Sequence, residues 1–221
     1  MILMRDDDIH QVITILRESA KEWQPALVDG MARVEPNPYH ILMTTLLSLR
    51  TKDTLTSQIA PRLFALADTP QEMARHSPEE IAQVIYPVGF YRNKAKSILA
   101  VSQKLMDDYG GQVPDDLDEL LKLPGVGRKT ANLVLTAGFN KPGICVDTHV
   151  HRISNRWGYV RTRSPEETEF ALREKLPPEY WIEYNGLLVS MGQTICHPTS
   201  PWCSKCPVSQ FCDRVGVARS R

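Results

Sequence analysis

Four proline dipeptides constrain this chain more than any other feature. Asn37-Pro38, Thr69-Pro70, Ser77-Pro78 and Ser164-Pro165 each set a short polar side chain directly before a proline. Such a side chain accepts hydrogen bonds from the open amides of a helix start. A proline at the first helical position gives up no useful N–H and already has a helical φ. Each pair therefore predicts a helix N-terminus. Glu80 and Glu167 stand three residues after Ser77 and Ser164, so two reciprocal capping boxes are expected. Apolar residues then recur at helical spacing: Ile9, Val12, Ile13 and Leu16; Ile41, Leu42, Thr45 and Leu46; Ile98, Val101 and Leu105. Gly110 is expected to end the last of these helices. No segment alternates with period two, so the fold class is all-α. A chain of 221 residues can bury one large core or two small ones.

Composition enters through charge and cysteine. The formal net charge is +0, which by itself gives no sign of a polyanionic partner. The charges are nonetheless segregated. Residues 107–119 carry acids and no base, whereas 121–163 carry Lys122, Arg128, Lys129, Lys141, Arg152, Arg156, Arg161 and Arg163 against the single acid Asp147. A basic face is thus available on a neutral chain. No stretch approaches the roughly 20 apolar residues of a membrane span, and the opening MILMRDDD has no apolar run. These features predict a soluble intracellular chain without a membrane partner. In a reducing compartment its five cysteines serve as metal ligands or free thiols before disulfides.

The richest chemistry begins at Leu117. LDELLKL and RKTANLVLTAGF read as two helices joined by Pro124-Gly125-Val126-Gly127. Glycines permit backbone angles closed to other residues, and the turn delivers the chain to a helix start whose amides and dipole attract a phosphate oxygen. Lys129 falls in the first turn of the second helix, beside Arg128. There the dipole disfavours a cation, and a lysine that sheds its proton is suited to nucleophilic attack and Schiff-base formation. Read locally, Lys129 is equally an exposed lysine or a phosphate contact. Asp147, in Val146-Asp147-Thr148-His149, reads as the cap of a following helix, VHRISNRW, and a capping carboxylate can still project into a cleft.

Cys196, Cys203, Cys206 and Cys212 form a C-x6-C-x2-C-x5-C array, short enough for four thiolates to converge on one centre. Spacing alone leaves iron–sulfur and zinc both open. Cys145 stands outside the array and reads as buried packing.

LPGVGRKTAN followed by VDTHVHR resembles the helix-hairpin-helix and Gly/Pro-rich loop with aspartate of the endonuclease III superfamily, and the likeness runs from about Asn37 to Cys212. The resemblance implies a two-lobed fold. One lobe is a helical barrel over 31–141 with the hairpin at about 117–138. The other is a helical lobe made of 1–30 and 142–221 that holds a [4Fe-4S] cluster on Cys196, Cys203, Cys206 and Cys212 in the loop 196–212. It also implies a monomeric DNA glycosylase and abasic-site lyase of base excision repair. Its partner is double-stranded DNA containing damaged bases or abasic sites. Lys129 attacks the sugar C1′ and Asp147 assists. Gly125, Val126, Gly127, Arg128 and Thr130 contact the DNA, and His149 supports the site by hydrogen bonding.

Two further positions follow from the same resemblance. The place of a base-replacing glutamine holds Arg50, in Leu47-Ser48-Leu49-Arg50-Thr51, and the apolar wedge falls on Phe90, in Val88-Gly89-Phe90-Tyr91. The insert between the first two cysteines, His-Pro-Thr-Ser-Pro-Trp, lacks the basic residues common in the family, which puts phosphate contact from that loop in doubt. The expected substrate class is oxidised pyrimidines. A mismatch-directed thymine or uracil glycosylase, and a catalytically silent DNA-binding redox sensor, stand as alternatives.

Overall fold

The computed structural model describes residues 4–34 and 36–221. Among the described residues it is helical, with no β-strand and no helix long and apolar enough to cross a membrane. Two compact units divide the chain: Met1–Ala26 with Pro142–Arg221, and Leu27–Lys141.

The discontinuous unit begins with α1 (Asp8–Ser19). The continuous unit holds α2 (Leu27–Val34), α3 (Pro38–Ser48), α4 (Asp53–Leu66), α5 (Pro70–Met73), α6 (Pro78–Ile85), α7 (Tyr91–Tyr109), α8 (Leu117–Leu121) and α9 (Arg128–Leu133). The chain then returns to the first unit for α10 (Thr148–Trp157), α11 (Pro165–Lys175) and α12 (Trp181–Thr194).

All four proline dipeptides start helices. Asn37 Oδ1 accepts from the amides of Tyr39 and His40 at 3.0 and 3.1 Å. Thr69 Oγ1 accepts from Glu72 at 3.2 Å. Ser77 and Glu80 close a full capping box, at 3.2 Å one way and 2.7 Å the other. Ser164 departs from expectation. Its hydroxyl accepts from the Glu167 amide at 3.1 Å, but the Glu167 carboxylate reaches one residue further back, to the Arg163 amide at 2.8 Å. An exposed amide is still satisfied, though not reciprocally.

Helix α3 is the axis of the continuous unit. Its sequence suggested one apolar face, yet every residue from Ile41 to Leu47 is buried, because α2, α4, α7 and α9 pack around it. The expected single helix after the Gly-rich turn also changes form: α9 gives way to a π-helical segment, Val134–Gly138. There the Thr136 hydroxyl bonds back to the carbonyls of Asn132 and Leu133, at 3.0 and 3.3 Å. Such back-bonding competes with the helical ladder. At the end of the segment, Gly138 lies so close to α3 that a Cβ would sit 3.2 Å from Pro38 Cα.

The other unit packs Ile9, Ile13 and Leu16 of α1 with Trp157 of α10 and Tyr184 and Leu188 of α12. Tyr184 satisfies its buried hydroxyl on Ser154 Oγ at 3.0 Å. Beyond α12 the chain is held in two short 3-10 turns, Cys203–Lys205 and Ser209–Phe211.

Candidate functional site

The hairpin is built on local rules. Asp116 caps α8, accepting from Asp118 and Glu119 at 2.9 and 3.1 Å. Leu120, Leu123 and Val126 are buried and anchor the turn from within. Gly125 has φ +74, a value that favours glycine. Val126 turns its side chain inward and donates its amide to Leu123 O at 3.1 Å, so it shapes the turn and offers neither group outward. Thr130 is likewise buried, against the expectation that it meets a ligand directly. Gly127 is extended, and nothing lies within 4 Å of the place a Cβ would take. The ladder of α9 starts with Ala131 N donating to Gly127 O at 2.9 Å, so the amides before it precede the helical bonds. Arg128 and Lys129 are half-buried in that first turn.

Asp147 lies in the other unit and is extended immediately before α10. Its Oδ1 accepts from the amides of His149 and Val150, at 2.8 and 2.9 Å, which leaves Oδ2 outside the cap. His149 Nδ1 is 3.1 Å from Arg152 Nη2, which also donates to Cys196 O at 2.7 Å. Burial pushes the Arg152 pKa down from its ordinary value. Gly192 of α12 backs this group: a Cβ there would collide with the His149 ring.

The four cysteines line one pocket, with Trp157, Met191 and Trp202 among its walls. Burial pushes the Cys206 thiol up to about 12 and Cys212 up to about 11. Arg156 is buried beside them. Its Nη1 donates to Cys196 Sγ at 3.3 Å and to His197 O at 2.7 Å, and its Nη2 donates to Pro198 O at 2.6 Å. The Arg214 amide donates to Cys212 Sγ at 3.4 Å. Among the described residues no set of three or more His, Cys, Asp or Glu side chains is arranged to hold a metal ion. Cys145 stays apart and buried, with its carbonyl accepting from Asn185 at 3.1 Å. The insert between the first two cysteines lacks bases of its own, but Lys205 and Arg221 both stack on its Trp202, at 4.6 and 4.3 Å from the ring centre.

Arg50 and Phe90 come together in the continuous unit. Both are left-handed, at φ 55 and 57, and the Arg50 guanidinium lies 5.6 Å from the centre of the Phe90 ring. Phe90 is 60% exposed and so is not a core aromatic. Sequence reasoning missed the groups that hold these elements: Lys94 and Thr51 under the Arg50–Phe90 tip, and Arg152 and Arg156 between α10 and the cysteine loop. The signal for Lys94 was its register, since it continues the buried stripe of Ile98, Val101 and Leu105.

The sequence profile of the HhH-GPD superfamily base excision DNA repair proteins matches residues 43–178, and the chain belongs to that family. Its relatives are more particular. It is 51% identical over 179 residues to Endonuclease III of Thermotoga maritima, covering 81% of this chain and 84% of that protein. It is 41% identical over 189 residues to Endonuclease III of Bacillus subtilis, covering 85% and 86%. Among solved structures, a trapped covalent intermediate of Endonuclease III with DNA superposes with TM-score 0.85 at 36% identity, over 95% of this chain and 96% of that one.

Proposed function

We infer that this chain is a monomeric, intracellular DNA glycosylase and abasic-site lyase that removes oxidised pyrimidines from duplex DNA. The observation that carries this reading is Lys129, held in the first turn of α9 directly after an open glycine turn, in a chain that shares its family and fold with a protein caught covalently on DNA.

The chemistry follows from the groups available. A target base must leave the stack to be reached, and Phe90 and Arg50 are the side chains to fill the gap it leaves. Backbone amides around Gly125 and Gly127, with Arg128, hold the phosphates. Positive charge grows on the sugar as the glycosidic bond breaks, and the Asp147 carboxylate stabilises it. The Lys129 amine bonds to C1′ as the base departs with its electron pair. The sugar ring then opens at the C1′–O4′ bond, an amine proton passing to O4′, which converts the adduct to an imine. The imine acidifies the C2′ proton, whose loss expels the 3′ phosphate by β-elimination. Support from His149 and Arg152 keeps Asp147 and its helix start in place.

The cysteine pocket suits a [4Fe-4S] cluster. Its lining brings four cysteine sulfurs, those of Cys196, Cys203, Cys206 and Cys212, to one pocket, and four thiolates are the donor set that such a cluster takes. When bound, the cluster cross-links the C-terminal segment to the core.

Borohydride trapping tests the reading. Wild-type chain incubated with abasic duplex and borohydride is expected to yield a covalent adduct that Lys129→Gln abolishes. A folded wild-type chain that forms none overturns the assignment. Release of thymine from a G·T mispair, with oxidised pyrimidines left untouched, would overturn the substrate class alone.

A further inference from the structure

Two left-handed non-glycine residues at adjacent tips call for an explanation. Each costs about 1–2 kcal/mol and persists only where surrounding structure imposes it. Arg50 lies between α3 and α4, and Phe90 between α6 and α7, so different connections must be brought into register. A single buried amine does this. Lys94, on the first turns of α7, is only 7% exposed. Its Nζ donates to Leu47 O at the end of α3 at 2.6 Å, and to Thr51 Oγ1 at 2.8 Å. That same hydroxyl accepts the Gly89 amide at 3.2 Å, so one oxygen joins the residue after Arg50 to the residue before Phe90. Gly89 eases this approach, because a Cβ there would stand 3.0 Å from Arg50 O and push that carbonyl back by a few tenths of an ångström. Lys94 also closes the start of α7 through its own amide, which donates to Phe90 O at 3.0 Å.

We propose that Lys94, acting through Thr51, is a positioning residue that locks the Arg50 and Phe90 loops into one preformed tip for insertion into the DNA. The proposal rests on the glycosylase reading for its substrate and on the hydrogen bonds above for its mechanism. A rigid tip carries its ordering cost before binding, so its loss weakens capture of the substrate rather than the chemistry that follows. Burial supports the assignment: it pushes the Lys94 ammonium down to about 8, which marks a group committed to the interior and not to solvent.

The test compares Lys94→Met, Thr51→Val and Thr51→Ser with wild type. Amide exchange at Gly89 is measured without DNA, and KM and kcat are measured separately for lysis of an abasic duplex. Lys94→Met and Thr51→Val are expected to speed Gly89 exchange and raise KM about tenfold each, while kcat at saturating DNA holds within about twofold. Thr51→Ser, which keeps the hydroxyl, is expected to behave as wild type. If Lys94→Met fails to fold, the two Thr51 variants decide. Unchanged exchange and KM in folded variants, or a fall in kcat alone, overturns the proposal. A wild-type chain without lyase activity would instead overturn the functional reading, and Gly89 exchange would still decide whether the amine couples the loops.

Discussion

The Nη1 of Arg156 lies 3.3 Å from the Sγ of Cys196, and the same guanidinium holds the carbonyls of His197 and Pro198. One buried cation on α10 thus fixes the start of the cysteine loop. Arg156→Met would strand three acceptors and destabilise the fold by about 2–4 kcal/mol in denaturant titration. Iron content per chain and the yellow-brown colour are expected to fall in parallel. Arg156→Lys is expected to recover only part of both, since a single ammonium cannot reproduce the planar fork. Full iron loading in Arg156→Met would show that the loop holds itself.

Asp147 has two tasks that substitutions can separate. Asparagine caps a helix about as well as aspartate but carries no charge. Asp147→Asn is therefore expected to keep the thermal midpoint and lose adduct formation by at least about a hundredfold in rate. Asp147→Ala should also lose about 1 kcal/mol of stability with the cap. Equal melting of the two variants would argue against the cap observed at His149 and Val150.

Lys94 imposes a pH signature on stability. Its value falls from an ordinary 10.5 to about 8. Below pH 8 both folded and unfolded chains hold the proton, and the folded state bears the cost of a buried charge. Between about 8 and 10.5 only the unfolded chain holds it, so this group makes stability rise with pH. The difference between wild type and Lys94→Met, followed by urea unfolding from pH 7 to 10.5, is expected to climb across that window. A flat difference would place the amine in contact with solvent.

The glycines of the hairpin turn differ in what they serve. Gly125, at φ +74, is a requirement of the fold, and Gly125→Ala is expected to destabilise by about 1 kcal/mol. Gly127 has no positive φ and open space around its Cβ direction. Gly127→Ala is therefore expected to melt like wild type but bind abasic duplex about tenfold more weakly, because the added methyl blocks backbone approach to a phosphate. Unchanged binding would move the phosphate contact elsewhere.

What the sequence disclosed follows the range of the forces involved. Caps act over three residues, so Asn37, Thr69, Ser77, Asp147 and Ser164 were readable as helix starts. Even there, the carboxylate of Glu167 chose Arg163 over Ser164, a matter of side-chain reach that pattern does not encode. Helix α3 looked amphipathic because its sequence shows only its own residues, not the four helices around it. The left-handed turns at Arg50 and Phe90 were hidden for a similar reason, since the groups enforcing them are about forty residues away in sequence and act by hydrogen bonds. Lys94 sat in plain sight within an apolar stripe, but lysine composition argues for surface, and only its register argued otherwise.

The contact of Gly192 with the His149 ring bears on how natural variants of this chain should be judged. By helix propensity, alanine in mid-helix is favoured over glycine by about 1 kcal/mol, so a scan of α12 would rate Gly192→Ala as benign or beneficial. The added carbon would instead evict an imidazole more than forty positions upstream, leaving every reactive side chain present but its scaffolding displaced. Loss of repair with an intact signature is the pattern such a lesion would leave in a genome.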